Sequence, residues 1–284
     1  MDKQNAKTVI HISFAEFLRW LKSSRLIILG VILVFVHIQI ITTLQTTSLM
    51  MEMPVSYLEA FVALGNSGVI VLIIPALWLV LMGDFPKKSG IDLFYQIRCS
   101  KRTWICGQIL FVVEAAVFLV VFLLIFSIFM LRGYGEWKLE FSETVRFYTS
   151  TFPDRTGDYI LELLPENLYH QMSLGTSIMH TIFLMLLYFL LLALVLLVAS
   201  LCNQKMIGFF VDVVLILLGT VTTAMKTKWM WLFPMAHSIT GVHYEKYLSA
   251  EIFSMRMSYA YMVLGCFGLI VCCMVVAQKY QAGR

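Results

Sequence analysis

Three ionisable side chains lie inside otherwise apolar stretches of this 284-residue chain: His37, Glu114 and Asp212. Charge inside a hydrocarbon layer is expensive, so such residues normally face a bundle interior, a water-filled path or a partner, where they relay protons or hold a substrate. Glu114 falls about ten residues into its apolar run, roughly 15 Å from the near end at 1.5 Å per residue. His37 sits at a comparable depth, and Asp212 only about six residues in, roughly 9 Å. One expectation is that Glu114 and His37 pair or line a translocation path. The plainer one is a protonated or hydrogen-bonded packing contact.

Other chemistry is sparse. Gly65-Asn-Ser-Gly68 has the form of the serine motif of rhomboid-type intramembrane proteases, with His180 as a conceivable base. Four residues say little, and a Gly-rich helix start capped by Asn66 or Ser67 is the better explanation of them. No Walker A pattern is present, so the chain cannot cradle nucleotide phosphates in that way. No His-Glu-x-x-His motif and no paired-cysteine metal spacing occurs. A nucleic-acid partner is not expected, because a net charge of +4 supplies no dense basic face.

The elements that must position these residues are set by composition. The chain is 60% hydrophobic and 13% charged, with a mean hydropathy of +0.84. That much apolar surface calls for lipid as solvent. Crossing the hydrocarbon layer takes roughly 20 apolar residues, and six stretches qualify: 26–44, 66–83, 105–131, 176–202, 206–225 and 257–278. About two dozen polar and amphipathic residues precede the first, without the pattern of a cleavable signal. The expected fold is an all-α polytopic membrane protein, one domain over 1–284.

Basic residues orient it. With the N-terminus inside, the inner segments hold 13 of the 21 Lys and Arg and four acids, and the outer segments hold eight basic residues and 11 acids. Both termini are therefore expected in the cytoplasm of a cell whose plasma membrane the chain crosses. All six cysteines fall in spans or on the inner side, which suits small apolar packing residues.

Four pieces lie outside the spans. Residues 1–24 read as an interfacial helix with a capping box at Ser13 and Glu16 and an apolar face of Ile10, Phe14, Phe17, Leu18 and Leu21. Within the inner loop 84–104, Pro86 and Gly90 delimit a turn before a short helix near Ile91, on which Ile91, Phe94, Tyr95 and Arg98 share a face. Such a helix suits a cytoplasmic partner; a lipid-facing basic loop would look similar. The outer insertion 132–175 contains an alternating stretch (Leu139, Phe141, Val145, Phe147) that reads as a strand, then a helix over 158–172. The outer segment 226–256 opens with Trp229, Trp231, Phe233 and Pro234, which fits a bend or partial re-entry. Pro75 should kink the second span.

Taken together, the layout resembles the membrane subunits of type-2 ABC exporters. The matching pieces are the interfacial helix at 13–24, the loop 88–101, the segment 229–256, and the run Arg98-Cys-Ser-Lys-Arg-Thr-Trp104 leading into Gly107. The resemblance implies that the helix of Ile91, Phe94, Tyr95 and Arg98 couples to a separate ATPase subunit. ATP and Mg would be bound by that partner, with no cofactor in this chain and no enzyme activity of its own. It also implies a second permease subunit, identical or related, enclosing a path for an amphipathic peptide or hydrophobic compound. The 132–175 insertion is longer than the simplest members carry. Competing expectations are export of a polysaccharide or lipid-linked substrate, an intramembrane enzyme, and a non-transporting immunity or sensory subunit.

Overall fold

A computed structural model describes residues 3–87, 98–245 and 251–279. The chain is mostly helical. Helix α1 (Lys3–Leu21) precedes α2 (Leu26–Met51), which is interrupted by one π-helical turn at His37–Ile41. Next come α3 (Glu59–Asn66), α4 (Gly68–Leu81) and the long α5 (Lys101–Met130). The insertion folds into α6 (Glu143–Thr151), α7 (Ile160–Leu163) and α8 (Glu166–Tyr169). Helices α9 (Leu174–Leu201) and α10 (Lys205–Ala224) form a hairpin, and α12 (Met255–Lys279) ends the chain. Between α10 and α12 run a 3-10 turn (Lys228–Leu232), α11 (Pro234–Ser238) and a second 3-10 turn (Thr240–His243).

Five of these helices, α2, α5, α9, α10 and α12, are long and apolar enough to cross a membrane. The expected second span is the exception. Helices α3 and α4 pass the same test only together, and they meet at 82°. The break lies at Ser67, whose extended backbone (φ −82°, ψ 131°) ends one helix and starts the next. Pro75, the expected kink, lies within α4.

Helix α9 is the most buried of the long helices and packs against α5, α10 and α12. Glycines permit the closest approaches, as in lipid-embedded bundles where small residues let backbones meet. A Cβ on Gly208 would stand 2.4 Å from Ala199 Cβ, so the α9–α10 hairpin closes only because Gly208 has none. Asn203 turns that hairpin with φ 59°, a left-handed position that Asn tolerates better than most residues. Within the bundle, Trp78 of α4 stacks on Phe189 of α9 (centroids 5.0 Å apart) and donates to the Phe189 carbonyl at 2.9 Å. A buried indole N–H needs such an acceptor.

Several local expectations change. Helix α1 runs unbroken from Lys3, so Ser13 and Glu16 are mid-helix rather than a capping box; Ser13 is buried and Glu16 pairs with Arg19. The face of Ile10, Phe14 and Leu18 is exposed, while Val9, Ile12, Ser13, Glu16 and Trp20 are buried, with α1 lying along α5. A Cβ at Gly107 would meet Ile12 at 2.7 Å. Val145 and Phe147 belong to helix α6, whose start Ser142 caps by accepting from the Val145 N–H; a Ser at that position outweighs a short alternating pattern. The helix expected over 158–172 is split into α7 and α8 by Pro165, but Ile160, Leu164 and Leu168 of its apolar stripe are buried. Among the described residues, strand pairing consists of two residues each of β1 (Val55–Ser56) and β2 (Gly135–Glu136), parallel, and one antiparallel bridge between Tyr244 and Glu251. Ile91, Phe94 and Tyr95 lie outside the described residues; Arg98 is described and exposed.

Candidate functional site

The three ionisable residues found by sequence occupy different settings. His37 opens the π-helical turn of α2, and its Nδ1 is buried without a hydrogen-bond partner among the described residues. Such turns often mark functional positions. Glu114 lies on α5 in an apolar groove of about 460 Å³ lined by Phe14, Phe17, Phe118 and Phe122; its Oε2 has no partner. No hydrogen bond or ion pair joins Glu114 to His37 among the described residues. Asp212 on α10 is fully buried, and neither carboxylate oxygen has a hydrogen bond among the described residues. The Tyr188 hydroxyl of α9 is also buried, with no hydrogen-bond partner among them.

Glu114 can be placed along α5 relative to the ion pair at the end of α4. Trp20 donates to the Leu81 carbonyl at the end of α4 at 3.1 Å, and Arg25 pairs with Asp84 at 2.6 Å. The neighbouring Phe85 packs on Phe111 of α5, with ring centroids 5.6 Å apart. That ionic rim is therefore level with Phe111, and Glu114 is three residues, about 4.5 Å, beyond it along the helix. The ten residues of α5 before that level, 101–110, make nearly three turns, and α1 lies along α5.

A second polar cluster, which the sequence reading missed, lies where the 226–256 segment folds onto α12. His237 of α11 and His243 of the second 3-10 turn both point at Ser258 in the first turn of α12. His237 Nδ1 is 2.8 Å and His243 Nε2 is 2.7 Å from Ser258 Oγ. The opposite ring nitrogens face backbone carbonyls: His237 Nε2 to Trp231 O and His243 Nδ1 to Ile239 O, both 2.9 Å. All three side chains are buried. Rings surround them. Tyr261 stacks on His237 with centroids 4.1 Å apart, and Trp231 stacks on Phe253 at 4.3 Å, both rings touching both imidazoles. Desolvation by burial lowers the proton affinity of His237 and takes His243 to about 4.

Pro234 at the first helical position starts α11, its missing N–H being no loss there. The segment is tied from the other side by Asn66, whose Oδ1 accepts the Gly241 N–H at 2.9 Å while its amide donates to Val62 O. Within the Gly65–Gly68 motif, Ser67 instead contacts the Tyr159 hydroxyl at 3.4 Å, and His180 Nδ1 meets the Tyr259 hydroxyl at 2.9 Å. The only sequence cue to the cluster was two histidines six residues apart after an aromatic run; nothing local points to Ser258 as their shared partner.

Fold and polar sites together define a class: a mostly helical chain with five helices able to cross a membrane, six if the bent α3–α4 pair is one span. No protein family matches the sequence, and no curated protein or solved structure matches it.

Proposed function

We propose that the chain is the transmembrane subunit of an ATP-driven exporter of the type-2 ABC kind, moving an amphipathic peptide or hydrophobic compound outward across a plasma membrane. Both termini are then cytoplasmic. A second permease copy or homologue completes the path, and a separate ATPase subunit binds ATP and Mg.

The observation that carries this proposal is how both ends of the 84–104 loop are held. At its start, Asp84 pairs with Arg25 and the Leu81 carbonyl accepts from Trp20. At its end, Gly107 of α5 sits against Ile12 and Val9 of α1. Helix α1 thus bridges the loop's two roots, and a push on the loop is delivered to α1, α4 and α5 together. A loop that serves only topology needs no such brace. Rigid elements with discrete contacts are what carry a conformational change between sites. The folded 228–243 segment before the last span and the apolar groove beside Glu114 suit the same assignment.

Co-purification tests it. The tagged chain, expressed in its native host, should bring down a Walker-type ATPase whose ATP turnover falls when Phe94→Ala and Arg98→Ala are combined. Failure of any ATPase to associate, or unchanged association and turnover in the double variant, removes the coupling assignment. Stimulation of turnover by lipid-linked sugars rather than by amphipathic peptides would transfer the substrate class.

A further inference from the structure

The contacts at Ser258 do not balance in protons. Four short contacts run in series: Trp231 O to His237 Nε2, His237 Nδ1 to Ser258 Oγ, Ser258 Oγ to His243 Nε2, and His243 Nδ1 to Ile239 O, all between 2.7 and 2.9 Å. Each needs one hydrogen between its heavy atoms. Carbonyl oxygens only accept, a neutral imidazole carries one N–H, and a serine carries one O–H. Two neutral histidines and the serine therefore supply three hydrogens for four contacts. Changing a tautomer moves the deficit to another contact without removing it. Wherever it falls, two lone pairs face each other in a buried site, which is unfavourable by the full loss of a hydrogen bond.

One added proton completes the series: a protonated imidazole donates to Ser258 Oγ, and the Ser258 hydroxyl donates to the other imidazole. A second proton would leave the hydroxyl hydrogen without an acceptor and place two cations across one oxygen. We propose that His237, Ser258 and His243 form a binding site for a single proton, shared through the serine hydroxyl between the 228–243 segment and the first turn of α12.

The surroundings favour one cation and give no reason to hold it permanently. Tyr261 stacks flat on His237 at 4.1 Å, and Trp231 and Phe253 flank both imidazoles. Aromatic faces attract a desolvated cation. The titratable groups facing the site are His180 of α9, bonded to Tyr259 of α12, and Tyr261 itself. No carboxylate acts on either histidine among the described residues; Glu251, one residue from the segment's Ile252–His243 hydrogen bond, acts on Tyr244 instead. Burial opposes the charge, so uptake belongs to mildly acidic conditions. A histidine site of this kind reports the pH of the compartment it faces. The triad joins the folded segment to the last span beside a second link, the Tyr261 hydroxyl donating to the Leu232 carbonyl at 2.8 Å, so proton occupancy of the triad changes how tightly the two are joined.

Trp231 provides the readout, since its ring is 5.0 and 5.5 Å from the His243 and His237 rings and a protonated imidazole quenches indole emission. The purified full chain in lipid nanodiscs is titrated from pH 8 to pH 4, and the Trp231→Phe signal is subtracted. The expected result is reversible quenching with the steepness of one proton, centred between about 4 and the ordinary histidine value of 6.5. Ser258→Ala should shift the midpoint down by at least about one pH unit, a tenfold loss of proton affinity, while Ser258→Thr, which keeps the hydroxyl, should restore it. No Trp231-dependent change over this range would overturn the proposal. So would an unchanged midpoint in Ser258→Ala with a native elution profile, because the histidines would then titrate without sharing.

Discussion

Glu59 is the residue whose removal should reveal most about how the insertion is joined to the bundle. It begins α3, is fully buried, and holds three donors: the Ser142 N–H, the Ser142 hydroxyl at 3.0 Å and the Ser56 N–H at 3.0 Å. Ser142 also caps α6, so one carboxylate joins β1, α3 and the insertion. Each of the three hydrogen bonds contributes about 0.5–3 kcal/mol, the upper end when the carboxyl is ionised. Relaxation and water entry recover part of that, which leaves on the order of 3–5 kcal/mol for truncating this buried acceptor and leaving its donors unpaired. At roughly 2–4 °C per kcal/mol for domains of 150–250 residues, Glu59→Ala should lower Tm by on the order of 10 °C. Glu59→Gln should lose a substantial part of the same stability, because its amide N–H group must oppose either the Ser142 or the Ser56 N–H. The control is Glu140→Ala, whose exposed carboxylate is 3.9 Å from Arg146 and should shift nothing. Thermal unfolding followed by size-exclusion fluorescence reads all three. Loss of less than about 2 °C in Glu59→Ala, under 1 kcal/mol by that scale, would refute the assignment of Glu59 as the junction.

Two further outcomes follow from close contacts. Gly208→Ala should destabilise the chain by about 1–3 kcal/mol through overpacking, and Ala199→Gly should rescue it, since the clash at 2.4 Å is between those two positions; thermal unfolding of the single and double variants measures the rescue. Asn66→Ala removes the acceptor of the Gly241 N–H and the link to Val62 O, so hydrogen exchange at Gly241 should rise tenfold or more, about 1.4 kcal/mol, with exchange in α9 unchanged.

What the sequence made legible follows the strength of each physical signal. Long apolar runs with at most one internal carboxylate mark α5, α9, α10 and α12 closely, because a run of that length has few other uses in a folded chain. The second apolar run carries the same composition but breaks at Ser67; the break depends on Asn66 and Ser67 binding Gly241 and Tyr159, residues more than 90 positions away. Composition cannot contain a bend made by distant partners. The α1 case is similar. Its periodicity gives an amphipathic helix with Ile10, Phe14 and Leu18 exposed, but the opposite, packed face of Val9, Ile12 and Trp20 answers to Gly107, Phe111 and Phe118 on another helix, which no local pattern contains. Sequence signals also favoured isolated charges in apolar runs. They found His37, Glu114 and Asp212 and passed over His237 and His243, whose weight comes from Ser258.

The contrast between the polar groups bears on where a second subunit could act. On the side of the insertion, buried polar groups are largely mutually bonded: Glu59 with Ser142 and Ser56, Asn66 with Gly241, the histidines with Ser258. Within the long helices, Asp212, Tyr188, His37 and Glu114 each retain a buried atom with no bond. These are not equivalent. Asp212 and Tyr188 are almost wholly enclosed by the chain's own helices, so an external partner reaches them only if those helices part. Separation of α9 from α10 is opposed at Gly208, where the two helices are closest. Glu114 lines an apolar groove on the bundle surface, and a substrate or neighbouring helix seated there meets the residue without the helices parting. Glu114→Gln should therefore alter ligand or subunit binding while changing stability by less than about 1 kcal/mol, because the buried Oε2 has no hydrogen bond to lose among the described residues. Asp212→Asn should do the reverse, changing Tm without changing the binding of anything outside the bundle. An Asp212→Asn variant that lost subunit or ligand binding at unchanged Tm would place the accessible site on α10 rather than on α5.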